Sequence, residues 1–245
     1  MSLITISDIG CISWNQINAV PSFTQGEIQI WRVRVPQDNF VLTTFQHALS
    51  KAELDRASRF VQPEDAQRYV AAHGALRNLL SMHTGIAPRQ LEFTKNEFGK
   101  PALAHPDCAA NIHFNLSHSG RYIVIALSKQ PIGVDVELVK NDFNFRGLLP
   151  HYFSPTEAHS IIRSPSPVNA FFRSWTCKEA LGKGLGLGIS ENMQQLPCLN
   201  GTHQSTGSIM VNDWKVQTFG VDDVHVASVA YSSNIASVNF YDYAF

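Results

Sequence analysis

The chain has 245 residues, 44% apolar, 10% aromatic and 16% charged, with 15 Gly and 12 Pro, which is enough apolar material for a real core and too little charge for disorder. Nineteen Lys and Arg against twenty Asp and Glu leave a formal charge of -1, so there is no global field to hold a nucleic acid and any basic patch must be local. The longest apolar run, Tyr122–Leu127, is six residues where a bilayer span needs about 20, which argues against a membrane partner.

The first basic residue is Arg32, so residues 1–20 lack the charged start of a secretory signal. Cys11, Cys108, Cys177 and Cys198 show no C-x-x-C spacing and read as reduced thiols of a cytoplasmic protein. Glu27–Val35 is β-rich, with apolar positions changing phase near Trp31, which predicts a strand covered on both faces or carrying a bulge. Ser50-Lys51-Ala52-Glu53 is a capping box opening a helix that Pro63 stops, and Pro63 suits the first turn of a second helix ended by Gly85. Strands are predicted at Leu91–Phe93, Ile112–Leu116 and Tyr122–Leu127, the last two joined by a turn at Ser117–Gly120.

After Gln130-Pro131, Ile132, Val134, Val136 and Leu138 alternate with Gly133, Asp135, Glu137 and Val139, the period of a strand. Ser154-Pro155-Thr156-Glu157 is a second capping box. Pro167 opens a helix to about Lys183, and β-rich segments follow at Ile209–Thr218, Val224–Tyr231 and Val238–Tyr243. Strand, two helices, several strands, twice over, predicts an α+β fold of two similar halves, residues 1–130 and 131–245, with a ligand site in the cleft between them.

The chemistry concentrates on a few carboxylates. Asp135 and Glu137 leave the same strand face about 6.6 Å apart at the backbone, a spacing that fits a solvated face or a cation site. On the helix from Pro167, Glu179 falls in the apolar sector of Val168, Phe171, Phe172 and Trp175. Burying an unpaired carboxylate costs several kcal/mol, so Glu179 needs a metal, another cation or a proton. Three hard oxygen ligands from separate elements suit Mg²⁺ held jointly with substrate phosphates. Lys183, four residues on, can pair with Glu179 or reach a phosphate. The Asn115–Gly120 segment, with His118 and two Ser hydroxyls, reads as an ordinary hairpin turn or as an anion nest. Arg56, Arg59 and Lys100 each pass alone as solvated surface, and Gly182–Gly188 lacks the G-K-[ST] of a P-loop.

Taken together, FNLSHSG (Phe114–Gly120), IGVDVE (Ile132–Glu137), FSPTEA (Phe153–Ala158) and WTCKEALGKGLGLG (Trp175–Gly188), with PEDAQR and EFGKP upstream, resemble the ordered motifs of the Sfp-type 4'-phosphopantetheinyl transferases over roughly Ser50 to Gly188. Trp175 with Lys178-Glu179-Ala180 resembles the W/KEA subgroup. The resemblance implies a pseudo-twofold pair of α+β halves with coenzyme A and Mg²⁺ in the cleft, acting as a monomer on an apo acyl or peptidyl carrier protein. It implies metal ligation by Asp135, Glu137 and Glu179, with Glu179 also the base for the carrier serine. It further implies Lys183 on the pyrophosphate, Ser117 and His118 on the CoA phosphates, Arg56 on the 3'-phosphate and the turn of Lys100 at the adenosine end. His73 stands where many relatives have Arg, which would make 3'-phosphate contact from that helix weaker or pH-dependent. The alternative is a non-catalytic paralogue that binds CoA or a carrier protein. Phe143, Phe145, Leu148, Leu149 and Tyr152, with Lys140 and Arg146, form either a carrier-docking surface or cover for the second core.

Overall fold

The computed structural model describes residues 2–16, 21, 23–104, 111–187, 193–204 and 212–243. Cys108, Gly188 and the start of the segment predicted at Ile209–Thr218 lie outside them. One plan occurs twice. In the first half β3 (Glu27–Arg34) is followed by the helices α2 (Lys51–Ala57) and α3 (Pro63–Thr84) and the hairpin β6 (His113–Ser119) and β7 (Tyr122–Ser128). In the second, β8 (Ile132–Leu138) is followed by α5 (Pro155–Arg163) and α6 (Pro167–Leu185) and the hairpin β10 (Trp214–Gly220) and β11 (His225–Ser232). In each, the second hairpin strand pairs antiparallel with the opening strand, β7 with β3 and β11 with β8. The terminal strands cross between the halves. β1 (Leu3–Cys11) lies parallel to β10, and β12 (Ser237–Asp242) parallel to β3. The division expected at residue 130 falls in the link between β7 and β8.

Two five-stranded sheets result, β2 (Asn15–Gln16)-β12-β3-β7-β6 and β8-β11-β10-β1-β9 (Gly201–Gln204). Period-two alternation gives each strand two apolar faces. Ile28, Ile30, Val124 and Ala126 meet Ile132, Val134, Val136 and Val229 between the sheets, while Trp31, Val33, Ile123 and Ile125 pack under α3. The phase change near Trp31 is therefore a strand covered on both faces, and its pairing with β7 runs without a bulge. The second sheet's other face packs under α6 through Ile4, Ile6, Val216 and Phe171. The layers run helix, sheet, sheet, helix.

The capping residues act as their types require. Ser50 Oγ accepts the Glu53 amide while Glu53 Oε2 accepts the Ser50 amide at 2.8 Å, and Ser154 and Glu157 repeat the arrangement. Gly85 ends α3 at φ 74°, a left-handed value that a side chain rarely adopts. Three predicted boundaries move. The strand expected at Leu91–Phe93 is β4 (Phe93–Lys95), pairing with β5 (Pro101–Leu103) after a 3₁₀ turn at Pro88–Gln90. β6 runs through Ser119, so Ser117 and His118 are strand residues and the turn is Gly120-Arg121, with Gly120 at φ 55° as a tight hairpin prefers. The 143–152 segment divides: Phe145 and Leu149 are buried in the second core, whereas Phe143 is partly exposed over Phe171 and Phe172.

Candidate active site

β6 and β8 are the facing edges of the two sheets, and side chains rather than backbone join them. Asn115, Ser117 and Ser119 alternate along β6 onto one face. Asn115 Oδ1 accepts the Val134 amide at 2.8 Å, and Ser117 Oγ donates to Asp135 Oδ1 at 2.7 Å. Ser119 Oγ accepts the Leu138 amide at 3.0 Å and donates to Glu137 Oε2 at 2.8 Å. These hydroxyls are the ones the sequence assigned to a turn, and Asn115 is a member the sequence reading did not single out. Its signal was the polar residue at every second position of a strand.

Glycine sets the distance to α6. A Cβ on Gly133 would overlap the Ala180 carbonyl and the Gly184 amide, so the helix lies directly on β8. Gly133, Asp135 and Glu137 share that face, which brings Glu179 and Lys183 of α6 over the two strand carboxylates. Lys183 Nζ lies 2.6 Å from Asp135 Oδ1 and 3.3 Å from Ser117 Oγ. Glu179 is buried as its place in the apolar sector predicts. Its carboxyl is pushed up to about 7 by desolvation and by Asp135 and Glu137, with Lys183 opposing. Burial and then Asp135 likewise raise Glu137, against the Ser119 hydrogen bond and Lys183. The three carboxyls thus share one electrostatic environment.

The residues fit a hard divalent cation in kind. Asp135 Oδ2 is buried with no hydrogen-bond partner in the protein, and Glu137 and Glu179 stay raised despite Lys183. Among the described residues, however, no three His, Cys, Asp or Glu groups are gathered closely enough to enclose a metal ion. Among the described residues, Lys183 is the cation that contacts Asp135.

Basic groups stand on the other side. His118, exposed at the end of β6, is held below the usual imidazole value by the crowding of surrounding atoms and then by the charges of Arg68, Lys183 and His73. Arg68, absent from the predicted set, donates to the Gly120 carbonyl at 3.2 Å and to Asp65. His73 faces Glu53 at 3.5 Å and stacks on Tyr69 with centroids 4.1 Å apart. The guanidinium of Arg56 lies 5.4 Å from the Tyr69 ring centre, so the buried Tyr69 ring is flanked by the partly buried His73 and the exposed Arg56. Lys100 is differently engaged. Its ammonium donates to the carbonyls of Ile132, Lys183 and Gly184, capping the C-terminal end of α6, and burial lowers its pKa to about 8.

Comparison with known proteins identifies the family. A family model described as 4'-phosphopantetheinyl transferase, N-terminal, matches residues 35–130, and one described as 4'-phosphopantetheinyl transferase superfamily matches residues 131–230. The 4'-phosphopantetheinyl transferase HetI of Nostoc sp. is 35% identical over 67% of this chain and 71% of its own length. The 4'-phosphopantetheinyl transferase Sfp of Bacillus subtilis is 30% identical over 60% of this chain and 64% of its own. The mouse L-aminoadipate-semialdehyde dehydrogenase-phosphopantetheinyl transferase is 25% identical over 75% of this chain and 67% of its own. Family models thus match both halves, and the chain belongs to the Sfp-type 4'-phosphopantetheinyl transferases.

Proposed function

We propose that this transferase moves the 4'-phosphopantetheine group from coenzyme A to a serine hydroxyl of an apo acyl or peptidyl carrier protein, with Mg²⁺, and that it belongs to the W/KEA subgroup through Trp175 and Lys178–Ala180. The observation that carries this reading is the gathering of opposite charges at the seam. Asp135 Oδ2 is buried without a hydrogen-bond partner beside two raised carboxyls, and the charges of Arg68 and Lys183, each already paired with one carboxylate, converge on His118. A pyrophosphate bound together with a divalent cation would suit both groups, the cation beside the carboxyls and the phosphates beside the basic side chains.

Asp135, Glu137 and Glu179 would hold the metal, which when bound neutralises charge on the pyrophosphate oxygens. Lys183, Ser117 and His118 would orient the phosphates, with Arg56 and His73 at the 3'-phosphate. The ammonium of Lys100 is committed to the end of α6, so that turn would meet the adenosine end through its backbone. Glu179 would take the proton of the carrier serine as the serine Oγ–P bond forms and the bond to 3',5'-ADP breaks.

The test is to incubate the protein with CoA, Mg²⁺ and several apo carrier proteins, and to weigh the carriers by mass spectrometry. A phosphopantetheine adduct is expected. Intact CoA binding with no adduct on any carrier would replace transfer by the non-catalytic binding role.

A further inference from the structure

The seam between β6 and β8 continues to two hairpin turns, Gly120-Arg121 in the first half and residues 221–224 in the second. Asp222 organises the second turn, because its Oδ1 accepts the amides of Val224 at 2.9 Å and His225 at 2.8 Å. The same oxygen lies 2.8 Å from His225 Nδ1, while Oδ2 reaches across the seam to Arg121 at 2.7 Å. An ionised carboxylate can only accept, so it holds a ring proton on Nδ1 and leaves Nε2 facing away from Asp222. That Nε2 is buried, has no hydrogen-bond partner, and sits where a Cβ on Gly120 would be 2.6 Å away. His225 is 4% exposed and meets the Tyr122 ring edge to face at 5.1 Å. From the first half, Arg68 binds the Gly120 carbonyl and the Val35 amide binds the Arg121 carbonyl.

We propose that Arg121, Asp222 and His225 form a clamp across the seam that positions Ser119, and through it Glu137, for the transfer reaction; the proposal rests on the function given above. Ser119 directly precedes Gly120, and His225 is the register partner of Leu138, whose amide Ser119 accepts. The clamp and the hydroxyl bonds are therefore tied to the same pair of strand residues. A shift of the Gly120 turn moves Ser119 Oγ relative to Glu137 Oε2, whereas Lys183 and Ser117 hold Asp135 without help from either turn. These are positioning residues, and outer contacts of this kind change activity by about 10- to 100-fold.

The test compares the full chain with Arg121→Ala, Asp222→Ala, Gly120→Ala, and Gly120→Ala combined with His225→Ala. Amide hydrogen exchange is read over residues 117–122 and 136–139, together with kcat and KM for CoA and for the carrier. Arg121→Ala and Asp222→Ala are expected to speed exchange in both segments and to lower kcat about 10-fold with little change in either KM. Gly120→Ala should behave likewise, and removing the His225 ring should restore part of its kcat. Unchanged exchange at the hairpin, or a loss of activity carried by KM alone, would overturn the clamp. If the unaltered protein transfers nothing, the function fails, and the exchange data still decide the clamp.

Discussion

Replacing Lys178 by Met tests how a fully buried ion pair holds the second half together. The Lys178 side chain is 0% exposed, and its ammonium reaches Glu157 at 2.9 Å, the Met193 carbonyl at 2.9 Å and the Leu196 carbonyl. Glu157 in turn accepts the amides of Ser154 at 2.9 Å and Cys198 at 3.0 Å. One pair thus ties α5, α6 and the 193–198 segment. Methionine keeps the stem and removes the charge, leaving a buried carboxylate with two amides and no counterion. Breaking one partner of such a pair costs about 3–5 kcal/mol, which at about 2–4 °C per kcal/mol for this chain length lowers Tm by about 6–20 °C. Removing Glu157 charge as well, by Glu157→Gln, should recover part of the loss. Burial pushes the Glu157 carboxyl up, but Lys178 and the amides more than reverse it, so its folded pKa lies below the ordinary value of 4.5. A depressed carboxyl stabilises the fold above its unfolded pKa and loses that contribution as pH falls through the folded one. Unfolding of wild type and Lys178→Met should therefore be followed in urea from pH 7 to pH 3, with the variant losing less on acidification. A cost under about 1 kcal/mol, or identical pH profiles, would refute the argument.

Glu53 makes a second acid-sensitive point. Burial opposes it, yet His73, Arg77 and Ser50 hold it at about 2 instead of 4.5, so urea titrations should show about 3 kcal/mol lost between pH 4.5 and 2, and Glu53→Gln should remove most of that slope. Gly133→Ala should cost about 3 kcal/mol or more in thermal unfolding, because the added carbon meets helix backbone that cannot rotate away. Glu179→Gln should slow transfer about 10²- to 10⁴-fold while leaving Tm equal or higher, and a near-normal rate would remove the residue from both proposed roles. Phe145→Ala should cost about 3–5 kcal/mol in urea unfolding with unchanged KM for a carrier, since the ring is core.

The legible parts of the fold were those with local causes. Both capping boxes, the Pro63 start, the Gly85 stop and the alternation of β8 depend on residues within a few positions of one another, and each stands as read. The inward Glu179 was legible because an apolar helix sector leaves a carboxylate nowhere else to go. Strand β1 and helix α1 (Asn39–Gln46) went unread although Ile4 and Ile6 alternate with polar residues and Asp38 caps the helix. The pairing of β1 with β10 more than 200 residues away has no local signal at all. The same limit applied at the site. Ser117 and Ser119 carry a short polar sequence that suits a turn, and only the opposing edge of β8 turns them into strand residues with a hydrogen-bonding task. Lys100 reads as an exposed turn lysine until the end of α6 arrives beside it.

The way the halves join explains why the polar groups of the candidate site gather at one seam. Two edge strands with free amides ordinarily pair through their backbones about 4.8 Å apart and close the gap. Here the amides of Val134 and Leu138 are taken instead by Asn115 and Ser119 side chains, so the two edges meet through side chains and not through a backbone ladder. The seam carries the groups that alternate onto it, hydroxyls from β6 and carboxylates from β8. α6, pressed onto Gly133, then closes one side with an acid and a base four residues apart. The seam that joins the two halves and the surface proposed to present the chemistry are thus the same residues, so a substitution at Asn115, Ser117 or Ser119 is expected to alter both.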